Sequence, residues 1–350
     1  MAHVLGAGDF LGAGDGEVSV PTALVRTDPD DPWSIEERTT TVPEAWRASV
    51  QTAFELNKLL AQSRIAGYLG SAVVPGNYDS GGASITVQLT TSGLDHALDT
   101  VESLLEGVAY DVEAIERLDQ LEDGVEDAEP TILDRVVDER VPGGVGCQAG
   151  SSIATLAPGL YDPNRRQAYF ATAYHAYERA DEPQGEQLVL PLAAEEWVDL
   201  GRVRHGYRVE DVVAVEPIDR LEPDSVIAGE RSERVYGQLT RWGLADLVAR
   251  GESLEKVGAM TGHTTGAIQG IDAFTCLTDE FCRRGQLRWG RETDMTDGDS
   301  GSVSYYDDPE LPDDGVLVAS FNNARTWWPG QSYVWGTAAY QLTAEHGYHF

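Results

Sequence analysis

The chain has 350 residues, 41% of them hydrophobic, which is enough for two or three packed cores and too many for a disordered polymer. Its net charge is −34, from 59 acidic and 25 basic residues, and only Lys58 and Lys256 are lysines. Such a surface repels a phosphate backbone and argues against nucleic acid as a partner. No apolar run approaches the roughly 18 residues of a membrane span.

The N-terminus, MAHVLGAGDFLGAGDGE, lacks a charged leader and a sustained apolar stretch, and no twin arginine precedes it. The expectation is a chain that stays inside the cell or leaves by another route, such as a virus particle or a processed precursor. Residues 1–42, rich in Gly, Asp and Thr, read as an irregular arm. Thr41 and Glu44 have the spacing of a capping box, with Pro43 in the first turn. A helix follows to about residue 60, with Trp46, Val50, Ala53, Phe54 and Leu60 on one stripe. Strand-like runs at 65–74 and 84–90 are split by the turn PGNYDSGG. Ser92 and Asp95 cap a second helix through Leu105, and a strand at 108–115 closes the set. The order suggests a small α+β domain over 1–128.

The charged stretch 121–129, LEDGVEDAE, reads as a linker, and residues 129–140 lead out of it. From Val141 to the C-terminus short alternating runs dominate, separated by Gly, Pro, Asn and Asp: QAYFATAYH, DVVAVEP, VYGQLT, GSVSYY, GVLVASF and YVWGTAAYQL. One helical insert interrupts them at about 244–250. Many short strands between turn signals predict an all-β barrel or sandwich for 141–350. Each part is expected to have its own core.

Three cysteines are present and no C-x-x-C pair, so a zinc site is not expected. Cys276 and Cys282 flank LTDEF. That pattern fits a hairpin tip closed by one disulfide, and equally two reduced, partly buried thiols.

The string Gly298-Asp299-Ser300-Gly301 fits a tight polar turn, and it also fits a nucleophile loop. A serine nucleophile needs a base and donors for the developing oxyanion. Gly298 permits a backbone turn that aims the N–H groups of residues 298 and 300 at one point. Among seven histidines, His175 ends an alternating strand beside small residues and is placed to enter a cleft. His263 and His205 sit beside glycines, His3, His346 and His349 lie near the termini, and His96 is on a predicted helix. For a carboxylate to orient the base, Asp211 opens the apolar run DVVAV, while Asp199 and Asp219 start no such run.

In the order His175, Asp211, Ser300, residues 141–350 resemble chymotrypsin-fold serine proteases, particularly the bacterial branch. ATAYHA resembles that family's strand ending in Thr-Ala-x-His, EDVVAVEP its Asp-led strand, and GDSGS its nucleophile loop. VGAMTGHTTGAIQGI resembles its Gly-x-Thr-Thr-Gly strand, about 35 residues before the serine, and GGVGCQAG its opening strand. The resemblance implies two β-barrels and a serine endopeptidase acting on peptides or proteins. Ser300 would be the nucleophile, His175 the base, Asp211 the orienting acid, and the Gly298 and Ser300 N–H groups the oxyanion hole, with no cofactor or metal. It also implies that Asp294, six residues before Ser300, lies at the base of the specificity pocket, where a carboxylate favours Arg or Lys in the substrate. Otherwise it is one more surface acid. Asp299 would pair with an internal group, or with a new N-terminus cut after Arg140.

Tyr174, Ala176, Ser302 and His263 depart from the family's pattern without removing a catalytic atom. The acid-rich, lysine-poor composition resembles that of proteins from salt-loving archaea or their viruses. The rival reading is a protease-fold binding or structural module, for example a virion component, with little turnover or only self-cleavage.

Overall fold

The computed structural model describes residues 16–63, 65–79, 82–115, 129–177, 182–276, 281–313, 315–325 and 332–350. His3, residues 121–128 of the expected linker and the side chains of Asp95 and His96 lie outside them.

Strands dominate, with four α-helices among the described residues: α1 (Glu44–Gln62), α2 (Leu94–Leu104), α3 (Arg241–Arg250) and α4 (Ala339–His346). None is long and apolar enough to cross a membrane. Residues 1–15 of the expected irregular arm lie outside the described residues; the rest of it is instead an antiparallel hairpin, Glu17–Arg26 with Ile35–Pro43. Its Val and Thr residues alternate and suit a pleated surface, and Pro21 sits at the one register shift. The capping box does not form. Thr41 is held in the strand opposite Ser19, and Pro43 caps α1 without a side-chain bond. The first turn is steadied by the Glu44 N–H donating to the Gly16 carbonyl at 2.9 Å, and by the Glu44 charge at the helix's positive end.

The expected apolar stripe of α1 is buried along its length. It does not close a separate core. Trp46 and Phe54 meet Trp242 of α3, with ring centroids 6.1 and 5.6 Å apart. The strand Glu17–Arg26 pairs with Glu233–Leu239, and Tyr68–Pro75 with Gly262–Cys276. Residues 20 to 105 therefore share one apolar cluster with residues 239 to 338. The period changes near residue 141, yet apolar residues on both sides of that point share this cluster. A strand edge needs a partner, and its own sequence does not say which one.

Two sheets result. One has seven strands, in the order Ser152–Thr155, Gly146–Ala149, Gln187–Pro191, Trp197–Tyr207, Val212–Pro217, Gln167–Ala173 and Leu160–Asp162. The other has fourteen and takes in the N-terminal strands, Arg140–Gly143, Glu222–Ile227 and those from residue 233 onward. This mostly β architecture is consistent with a chymotrypsin-like fold. The run YVWGTAAYQL, expected as one strand, divides into the strand Val334–Ala338 and α4. Its Ala-rich second half favours helix, and Gly347 closes the helix at φ 76°.

Candidate active site

The strands Gln167–Ala173 and Val212–Pro217 are antiparallel neighbours, with Ala173 opposite Val212. This pairing sets the residues just beyond their adjacent ends side by side. His175 lies in the short turn Tyr174–Tyr177 after the first strand, and Asp211 directly before the second. The His175 N–H donates to Asp211 Oδ1 at 2.9 Å, and His175 Nδ1 lies 2.6 Å from Asp211 Oδ2. The Tyr174 N–H donates to the Asp211 carbonyl at 3.0 Å. Asp211 has φ 62°, in the left-handed region where Asp is among the few tolerated side chains.

Asp211 is fully buried. Burial pushes its carboxyl up, but the His175 ring, the Arg283 guanidinium and their hydrogen bonds outweigh that and hold it below the usual carboxylate range. An ionised carboxylate at Nδ1 can only accept. It therefore fixes the proton there and leaves Nε2 with its lone pair. The imidazole keeps about a third of its surface exposed.

Ser300 comes from the other sheet, on the loop before the strand Val303–Asp307. Thr155 anchors that loop. Its N–H donates to the Ser300 carbonyl at 2.9 Å and its hydroxyl to the Gly298 carbonyl at 2.8 Å. Gly301, at φ 97°, packs so closely that a Cβ there would come within 2.2 Å of the Thr155 carbonyl oxygen and 2.5 Å of Thr172 Oγ1. Only glycine fits. The serine loop is thus pressed onto the end of the strand that leads to His175. Ser300 is 9% exposed. The N–H groups of Asp299 and Gly301 donate to the Thr296 and Asn322 carbonyls. Among the described residues, no group accepts from the N–H of Gly298 or of Ser300. Gly298 has φ 93°.

Asp299 has an internal partner, Lys256, whose ammonium lies 3.3 Å from its carboxylate with neither side chain exposed. The Met260 and Thr296 N–H groups and the Thr261 hydroxyl also donate to Asp299, at 2.8, 3.1 and 2.6 Å. Burial pushes the Lys256 ammonium down, and Asp299 partly offsets this.

The remaining candidates bond elsewhere. Asp294 Oδ2 accepts from the Arg291 N–H at 2.7 Å, inside its own turn. Asp199 pairs with Arg202, His263 with Glu255, His346 with Glu210, and His349 with the Pro32 carbonyl. Cys276 and Cys282 are joined by a disulfide at the end of a hairpin, and Cys147 is a buried free thiol. Among the described residues no His, Cys, Asp or Glu side chains gather as metal ligands.

Three residues of the site are missed by sequence reasoning. Lys256 carries a faint signal, as a rare lysine in the alternating run SLEKVG. Thr155 carries none. Arg283, whose Nη1 lies 3.0 Å from Asp211 Oδ2, cannot be told from Arg284 in CRRG.

No family model matches the sequence, and no curated protein does. The chain is similar to several solved structures that cover 60% of it. One is a glutamic acid-specific serine protease, at 14% identity, 99% of that chain and a TM-score of 0.44. Others are Nocardiopsis protease, at 14%, 97% and 0.42, and Cellulomonas bogoriensis chymotrypsin, at 16%, 97% and 0.38. Likenesses of this size carry no argument about chemistry, which has to come from the residues themselves.

Proposed function

We propose that the chain is a serine endopeptidase that hydrolyses peptide bonds through Ser300, His175 and Asp211. The observation that carries this reading is the buried, ionised Asp211 holding the His175 imidazole by Nδ1 at 2.6 Å, next to the strand end on which the Ser300 loop is seated. In this reading Ser300 Oγ attacks the scissile carbonyl, and His175 Nε2 takes its proton and passes it to the leaving amine. Asp211 holds the tautomer and stabilises the imidazolium. The N–H groups of Gly298 and Ser300, which have no acceptor among the described residues, bind the oxyanion. Residues 141–350 carry this chemistry, the described part of residues 1–128 supplies strands and helices around it, and 129–140 connect the two.

The Lys256–Asp299 pair supports a loop that is ordered without a new N-terminus, so no cut after Arg140 is needed for activity. Asp294 remains a candidate for the base of the specificity pocket, with a preference for Arg or Lys. The acid-rich composition supports work at high salt. Peptide and protein substrates cleaved at high salt by the parent, and not by Ser300→Ala, are the expected result. Equal cleavage by both would remove Ser300 from the mechanism.

A further inference from the structure

Building on the reading of His175 as base and Asp211 as its orienting acid, we propose that Arg283 is a positioning residue of this site. Its guanidinium clamps the Asp211 carboxylate from the opposite sheet and thereby lowers the pH at which His175 takes up a proton.

Arg283 stands at the start of the strand Cys282–Trp289, opposite Thr275 of Gly262–Cys276. The Cys276–Cys282 disulfide ties the two strands together one residue away. Arg283 is 5% exposed, whereas its neighbour Arg284 lies on the surface. The guanidinium carbons of Arg283 and Arg208 lie 5.7 and 5.0 Å from the centre of the Phe281 ring. The hairpin of the fourteen-stranded sheet thus delivers a buried cation to a carboxylate of the seven-stranded one. That carboxylate oxygen, Oδ2, is the same one that holds His175 Nδ1.

The charge count gives the consequence. With the imidazole neutral, Asp211 and Arg283 form a balanced pair in a buried setting. Protonating His175 puts a second cation on one carboxylate. The imidazolium therefore gains less from Asp211 than it would from an unshared carboxylate, and the neutral base persists to lower pH. The largest charge effects on Asp211 come from His175 on its own sheet and Arg283 from the other. Glu210, next along the chain, is occupied by His346 of α4 and also feels Arg284.

The test compares Arg283→Met, Arg283→Gln and Arg283→Lys with the parent protein at high salt. Two curves are recorded: kcat/KM against pH, normalised to sites labelled by a phosphonate probe, and the titration of His175 by NMR of ¹³C-labelled histidine. Met and Gln should each raise the acid limb of the rate profile and the His175 midpoint by about one pH unit, roughly a tenfold loss on the acid side. Lys should restore most of the shift. A merely structural role would lower the labelled fraction at every pH and leave both midpoints in place, and that result, in whichever of the Met and Gln variants folds, overturns the proposal. The NMR midpoint does not depend on turnover. A shifted midpoint in a protein that hydrolyses nothing would sink the peptidase reading and leave Arg283's hold on Asp211 standing. An unshifted midpoint in an active peptidase would do the reverse.

Discussion

Lys256 and Asp299 meet with no exposed surface on either side chain, beside the serine that the site depends on. Removing one partner of such a pair leaves an uncompensated buried charge, at a cost of about 3–5 kcal/mol. Lys256→Met should therefore lower unfolding stability in denaturant by about that amount and loosen the loop that Asp299 organises. An unchanged midpoint would mean that the hydrogen bonds from Met260, Thr261 and Thr296 suffice. At Asp211, Asn should favour the wrong imidazole tautomer and reduce kcat by about 10⁴-fold. Asp199→Asn, which touches only the exposed Asp199–Arg202 pair, should be nearly neutral. Asp211 also predicts a pH dependence of folding. Its folded carboxyl titrates below the unfolded one, whose ordinary value is 3.8. The stabilisation is therefore present above that value and is lost as pH falls through the folded value. The stability gap between parent and Asp211→Asn should narrow steadily as pH falls below 3.8; a gap that widens there would reverse the assigned sign.

The elements were legible where local pattern decides them. The stripe of α1 and the paired runs at 68–75 and 83–90 follow from periodicity alone, and boundaries fell within a few residues of those expected. Elements were misread where composition outweighed pattern. The Thr- and Asp-rich N-terminal hairpin looked like loop because its turn, Asp28 to Ser34, and its strands draw on the same residues. Helix α4 was hidden because AAYQL continues an alternating run. At the site, the strands that end before His175 and start after Asp211 announce themselves by small and apolar residues. Thr155 and Arg283 act through register and packing across sheets, which no local signal encodes. Gly301 tests that packing directly. Gly301→Ala would drive a Cβ against the Thr155 carbonyl oxygen and Thr172 Oγ1, at a residue with φ 97°. The expected outcome is lower stability in thermal unfolding, together with slower labelling of Ser300.

At the scale of the whole molecule, the N-terminal strands extend the sheet that carries the serine loop, and their side chains complete its core. Expressing residues 130–350 alone should expose the strand edges Glu233–Leu239 and Gly262–Cys276 and the apolar face under Trp242, giving an insoluble product. A soluble, fully reactive fragment would contradict the shared core. The net charge of −34 predicts self-repulsion in dilute buffer, so unfolding midpoints should rise with salt toward the molar range. Whether Ser300 is a nucleophile activated by His175 and Asp211 is decided by treating the full chain at high salt with a phosphonate probe and locating the adduct by peptide mass spectrometry. One adduct is expected, on Ser300, formed far more slowly in His175→Ala and absent in Ser300→Ala. An adduct elsewhere, or equal labelling of the parent and His175→Ala, would contradict it.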